Sequence, residues 1–154
     1  MDRCRFVAVF LVLEWLRRRV CQALLFCQPG RVSVPQEIQD DETWDMDPFI
    51  FTDNDATFNN NMFVAWTDAD KKFDGSETKN EIAGSMRISV TALKSSTLVF
   101  ANQILTVTKS SDNVSMYNPH VTKVGDKILI TWVVCSDVKN DDGAYGIEGL
   151  YYDP

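Results

Sequence analysis

Histidine is almost absent from this 154-residue chain, with His120 the single example. A Cys–His or Ser–His–Asp arrangement would have to use that one ring. It directly follows Pro119 at the start of an apolar stretch, where a structural or surface role is the plainer reading. Arginine nearly disappears after residue 31: Arg87 alone remains, so no cluster of guanidinium groups is available to grip a carboxylate. Of the four cysteines, Cys4, Cys21 and Cys27 crowd the N-terminal segment, and Cys135 stands alone in an apolar run, where it reads as a small buried hydrophobe. There is no C-x-x-C pair, so neither a disulfide framework nor a zinc cluster is indicated. The seven glycines never form a G-x-G-x-x-G phosphate loop. Beyond residue 30 no long segment keeps apolar residues at helical spacing, and nowhere does the chain offer the ~20 apolar residues of a membrane-spanning helix.

What is present divides sharply by charge. Residues 1–31 hold six Arg against Asp2 and Glu14, a balance of +4, while residues 32–154 carry −11, giving −7 overall. A body so acidic repels phosphate backbones and shows no basic stripe, which excludes nucleic acid as the expected partner.

The basic start MDRCR precedes Phe6–Leu13, FVAVFLVL, a positive region followed by a short apolar one, as in a secretory signal. Ala23 offers a small residue for cleavage, although the charged EWLRRR before it departs from a signal. Residues 1–30 are therefore set apart as a signal-like or anchor segment, the one part expected to touch a membrane if it is not cleaved, with an amphipathic helix or a spurious extension as alternatives. Residues 31–154 form the globular body. Asn113-Val-Ser115 is an N-glycosylation sequon, relevant only to a secreted chain.

That body repeats itself. Short runs rich in Val, Ile, Phe and Trp alternate with polar turns, the signature of strands. Asp47-Pro48-Phe49-Ile50 leads to Met62–Trp66 and then to Ile82-Ala83-Gly84. Asn118-Pro119-His120-Val121 leads to Ile128–Trp132 and then to Ile147-Glu148-Gly149. Pro48 and Pro119 lie 71 residues apart, Trp66 and Trp132 lie 66 apart, and Gly84 and Gly149 lie 65 apart. The two prolines are expected at strand starts, where a missing N–H costs least, the two tryptophans in central strands, and the two glycines where another chain comes close. A unit of this length holding four short strands is a β-propeller blade pattern. The expected fold is all-β, about two four-stranded blades of an incomplete propeller, with copies at about 47–117 and 118–154; a β-sandwich made from the same strands is the alternative.

The segment NPHVTKVGDKILITWVVCSDVKNDDGAYGIEGLYYDP also resembles repeats of secreted bacterial adhesin- or haemolysin-type proteins, which read roughly N-P-x-V, then D-G-x-h-V-V-x-W, then D-G-x-G-x-I-x-G-Q-R-F-D. Asn118, Pro119, Val121, Trp132, Asp142, Gly143, Gly146, Ile147, Gly149 and Asp153 fall on the recurrent positions. The likeness covers Asn118–Asp153 well and Asp47–Met86 more loosely. It departs where Leu150-Tyr151-Tyr152 replaces Q-R-F and where the first copy carries a long insertion. The resemblance implies propeller blades and an extracellular or cell-surface location, and it transfers no catalytic residue.

Three acidic loops, at 52–61, 68–77 and 136–146, supply Asp and Asn oxygens suited to a hard cation such as calcium. Asp70–Glu81 even matches the EF-hand spacing at Asp70, Asp74, Gly75 and Glu81. Lys72 and Glu77 occupy unsuitable positions, however, and a strand rather than a helix leads in. These loops are read as solvated inter-strand turns, and no cofactor is expected. The functional expectation is a non-enzymatic binding or adhesion module, a piece of a longer protein, with a protein or carbohydrate ligand. The alternative is part of a propeller-type extracellular glycoside-acting hydrolase, sialidase-like, whose catalytic residues lie outside this chain.

Overall fold

The computed structural model describes residues 21–23, 26–28, 31–32, 36–39, 42–52, 62–94, 99–100, 105–107, 111, 113–138 and 143–153. The chain divides into two compact units, Met1–Glu42 and Thr43–Pro154. The first contains β1 (Cys21–Ala23), β2 (Phe26–Gln28), β3 (Arg31–Val32) and β4 (Gln36–Gln39), with β1 antiparallel to β4 and β2 antiparallel to β3. The apolar run Phe6–Leu13, which carries the signal or anchor reading, lies outside the described residues. Among the described residues no helix is long and apolar enough to cross a membrane.

The second unit is built from two antiparallel sheets. The first comprises β5 (Asp45–Thr52), β6 (Met62–Ala69), β7 (Met86–Lys94), β8 (Val99–Phe100) and β9 (Leu105–Val107), with the short helix α1 (Lys79–Gly84) between β6 and β7. β8 and β9 share the fourth position, both pairing with β7. The second sheet is β10 (Val114–Val124), β11 (Lys127–Ser136) and β12 (Tyr145–Tyr152), in that order. The body is mainly β, as the alternation of β-branched and polar residues requires. β6 and β11 are central strands, and all eight residues of β6 are buried. β10 turns into β11 through Gly125-Asp126, with Gly125 at φ 64°, the place that a two-residue hairpin turn reserves for glycine.

Each sheet opens with the same irregularity. The β5–β6 register steps from Met46↔Thr67 to Phe49↔Ala65, so Asp47-Pro48 sits opposite Trp66 alone. The β10–β11 register steps from Tyr117↔Val133 to His120↔Thr131, so Asn118-Pro119 sits opposite Trp132. Two residues against one is a β-bulge, and the residue before each proline has positive φ: 48° at Asp47 and 54° at Asn118. Asp and Asn tolerate that conformation better than most side chains. Pro48 and Pro119 therefore lie within long strands at bulges, not at strand starts as the sequence suggested. Both strands are sheet edges, where proline's missing N–H breaks no ladder.

The glycine landmarks behave differently. Ile82-Ala83-Gly84 belongs to helix α1, whereas Ile147-Glu148-Gly149 is mid-strand in β12. The cross-strand partners of the tryptophans give the true correspondence: Trp66 faces Ser89 and Trp132 faces Glu148. Ile88, Ser89 and Val90 of β7 thus match Ile147, Glu148 and Gly149 of β12. Gly149 does permit a close approach, because a Cβ there would sit 2.9 Å from the Ile130 carbonyl oxygen.

The two sheets stack through unlike faces. Phe63, Ala65, Ile88 and Val90 of the first meet Val121, Ile128, Ile130 and Trp132 of the second in one apolar cluster. Alternation places Trp66 on the opposite side of its sheet from Phe63 and Ala65, where it is completely buried. The tryptophan face of the second sheet therefore covers the non-tryptophan face of the first. Phe49 and His120, equivalent residues after the two bulges, bring their rings to 4.6 Å.

Candidate functional site

A cleft of about 160 Å3 opens where α1 reaches across to the second sheet. Its helix begins at Thr78, which closes a capping box with Glu81: the Glu81 N–H donates to Thr78 Oγ1 at 3.3 Å and the Thr78 N–H donates to Glu81 Oε2 at 2.8 Å. That cap sets Lys79, Asn80 and Ala83 on one side of the cleft. Tyr117 from β10 and Tyr145 from β12 form the other, with Cys135 of β11 between them. Ser115, Val138 and Gly143 complete it.

Cys135 is a buried, free thiol, and it contacts the carbonyl oxygen of Ser136 at 3.7 Å. Gly143 passes so close that a Cβ there would lie 2.6 Å from Cys135 Sγ. Burial raises the Tyr117 phenol above its ordinary value, with the neighbouring Tyr145 and Cys135 adding to the effect. The cleft thus offers ring faces, neutral hydroxyls, one ammonium and one amide. This inventory suits holding a small polar ligand. His120 is not among its lining residues.

The acidic loop at Asp70–Glu81 turns its carboxylates onto its own backbone. Asp74 Oδ1 accepts from the Ser76 N–H at 2.9 Å and from the Ser76 hydroxyl at 2.6 Å. Glu77 accepts from the N–H groups of Asp74 and Gly75, each at 3.0 Å. These bonds hold Asp74, Glu77 and Glu81 below the usual carboxylate range: the Ser76 hydroxyl is the main cause at Asp74, the Asp74 N–H at Glu77, and the Thr78 N–H at Glu81. The loop leads into α1, a six-residue helix where the four-strand repeat pattern predicts a strand. Among the described residues no group of three or more His, Cys, Asp or Glu side chains could hold a metal ion.

Arg87, the lone arginine after residue 31, is already engaged. Its Nε donates to Asp68 Oδ2 at 2.9 Å. Asp68 is fully buried and also accepts from Ser89 Oγ at 2.7 Å and Thr43 Oγ1 at 3.1 Å. The sequon's Asn113 donates its side-chain amide to Asp137 at 2.8 Å, and a glycan on that nitrogen would leave it a single N–H to donate.

The structure places the repeat landmarks Pro48, Pro119, Trp66 and Trp132 in bulges and core, Gly84 in α1 and Gly149 in β12, and brings none of them into the cleft. Lys79, Asn80, Tyr117 and Tyr145 were missed, because α1 comes from between strands of the first sheet and the tyrosines come from the second. Only the Thr78-x-x-Glu81 capping pattern gave a readable signal.

No family model, curated protein or solved structure matches the chain.

Proposed function

We propose that this chain is an extracellular, non-enzymatic β-propeller-like repeat module, part of a longer protein, that works by binding or adhesion. The observation that carries the reading is the head-to-tail stacking of two sheets bearing the same bulge and the same buried tryptophan. A sandwich with two-fold related sheets would bring like faces together. Here unlike faces meet, and the equivalent residues Phe49 and His120 touch beside the first strands. That is the relation produced by rotating one unit onto the next about an axis near those strands, as successive blades are related. The resemblance of Asn118–Asp153 to repeats of secreted adhesin-type proteins supports the location and the role.

Engagement of Arg87 with Asp68 weighs against the hydrolase reading, since no other guanidinium follows residue 31 to bind an acidic sugar. The test is to immobilise the chain, probe it with arrays of glycans and extracellular matrix proteins, and assay fluorogenic glycosides in parallel. Saturable binding without turnover is expected. Glycoside hydrolysis would overturn the non-enzymatic reading, and absence of any ligand would overturn the binding role. In a longer reading frame, further P-x-V…W copies should flank the chain at roughly 60–70 residues.

A further inference from the structure

The outer edge of β12 differs from its counterpart in the first sheet. β7 is paired on both sides: with β6 along its length and with β8 and β9 on the other edge. β9 adds antiparallel through Ile88↔Val107, Ser89↔Thr106 and Val90↔Leu105. Among the described residues, β12 pairs with β11 alone. It is an eight-residue strand in unbroken register from Tyr145 to Tyr152. None of the usual protections of a free edge is present within it: no Lys, no Pro and no bulge, with Glu148 its one charge. Tyr145, Ile147 and Tyr151 are 74%, 80% and 60% exposed on the face that corresponds to the covered face of the first sheet.

We infer that the edge of β12 is a strand-addition site, which takes an extended polypeptide segment with alternating aliphatic side chains, antiparallel, in the register that β9 takes on β7. Main-chain hydrogen bonds supply the affinity and alternate side chains supply the choice of partner. The first sheet identifies the occupant. Its matching edge holds a Leu-Thr-Val strand, with Thr106 exposed and Val107 buried. On β12 the incoming segment would set its residues opposite Ile147, Glu148 and Gly149. At Gly149 the absence of a side chain leaves room for a larger one on the added strand. The inference needs only the correspondence between the two sheets, so it can fail while the adhesion role stands, and the reverse.

The probe is a synthetic peptide of residues 102–109, NQILTVTK, titrated into the intact chain while amide hydrogen exchange is followed. Saturable binding is expected, with slowed exchange along 145–152. Ile147→Lys, at a site too exposed to unfold the sheet, should weaken binding about threefold through the lost cross-strand pair. N-methylating the peptide on its pairing edge should weaken it about tenfold by removing a backbone hydrogen bond. No saturable binding overturns the proposal. So does protection confined to β7, which would mean the peptide had merely replaced β9. Self-association of the peptide-free chain through the β12 amides would name a second copy as the occupant and equally overturn it.

Discussion

The two sheets share a plan and differ in finish. In the first, both the tryptophan face and its opposite are buried, the last position is filled by β8 and β9, and polar residues deep in β6 and β7 are tied together by Asp68 and Arg87. In the second, the positions matching Asp68 and Arg87 are Val134 and Gly146, and the outer strand is exposed at seven of its eight residues. The difference teaches that bulge and tryptophan are common to both sheets while their settings are not: Trp132 enters the contact between the sheets, and Trp66 is buried on the other face of its own. Among the described residues, the ion pair and the helix are particular to the first sheet.

The largest effect expected on that comparison comes from the tryptophans. Trp66→Ala and Trp132→Ala should each lower unfolding free energy by about 4 kcal/mol in denaturant titrations. A negligible loss at Trp132 would break the equivalence of the two sheets. Next, Arg87→Ala leaves the Asp68 carboxylate buried without its cation and should cost about 3 kcal/mol. Gly146→Ala, at the matching place in the second sheet, removes no charge partner and meets only the Val134 side chain at 3.3 Å. A loss there equal to that of Arg87→Ala would show that the ion pair is not what distinguishes the first copy.

Third in size are the bulges. Asp47→Ala and Asn118→Ala place a methyl side chain at positive φ and should each cost about 1 kcal/mol by the same unfolding measurement. Unequal costs would show that one bulge is held by its surroundings, for which the Asn118 N–H bonded to Thr67 Oγ1 at 3.1 Å is the candidate.

The smallest effect is acid loosening of the loop that precedes α1 in the first sheet. Asp74, Glu77 and Glu81 titrate below their ordinary values of 3.8, 4.5 and 4.5 in the folded chain. Their contribution is therefore present above those values and is lost as pH falls through the lower folded ones. Amide exchange at 74–81 should quicken in that window before any change at 127–136. Simultaneous loosening of both regions would refute a local cap.

How much of this could be read from the sequence depended on the range of the interactions. β6 and β11 announced themselves through MFVAW and KILITW, because strand residues half-buried on a pleated surface must be apolar and β-branched or aromatic. The bulges were half visible: Pro48 and Pro119 marked the places, but proline alone cannot tell a strand start from a kink within a strand. α1 was hidden by its length of six residues, too short for helical periodicity to show, and by the chance agreement of Ile82-x-Gly84 with Ile147-x-Gly149. The capping pair Thr78 and Glu81 was the better signal. The cleft was not legible at all, since Lys79 and Tyr145 become neighbours only after the sheets stack. Asp68 looked like one more solvated acid until β7 supplied Arg87 and Ser89.

The meeting of unlike faces has a consequence for how such a chain can lengthen. A sheet that offers one surface forward and a different one backward can be copied in tandem by gene duplication, and the new copy fits both neighbours without a fresh surface having to evolve. A mutation on the forward surface is then matched by selection on the backward surface of the next copy. In a series lengthened this way, the tryptophan and the residues it covers would drift together, while the outer loops of each unit would vary independently.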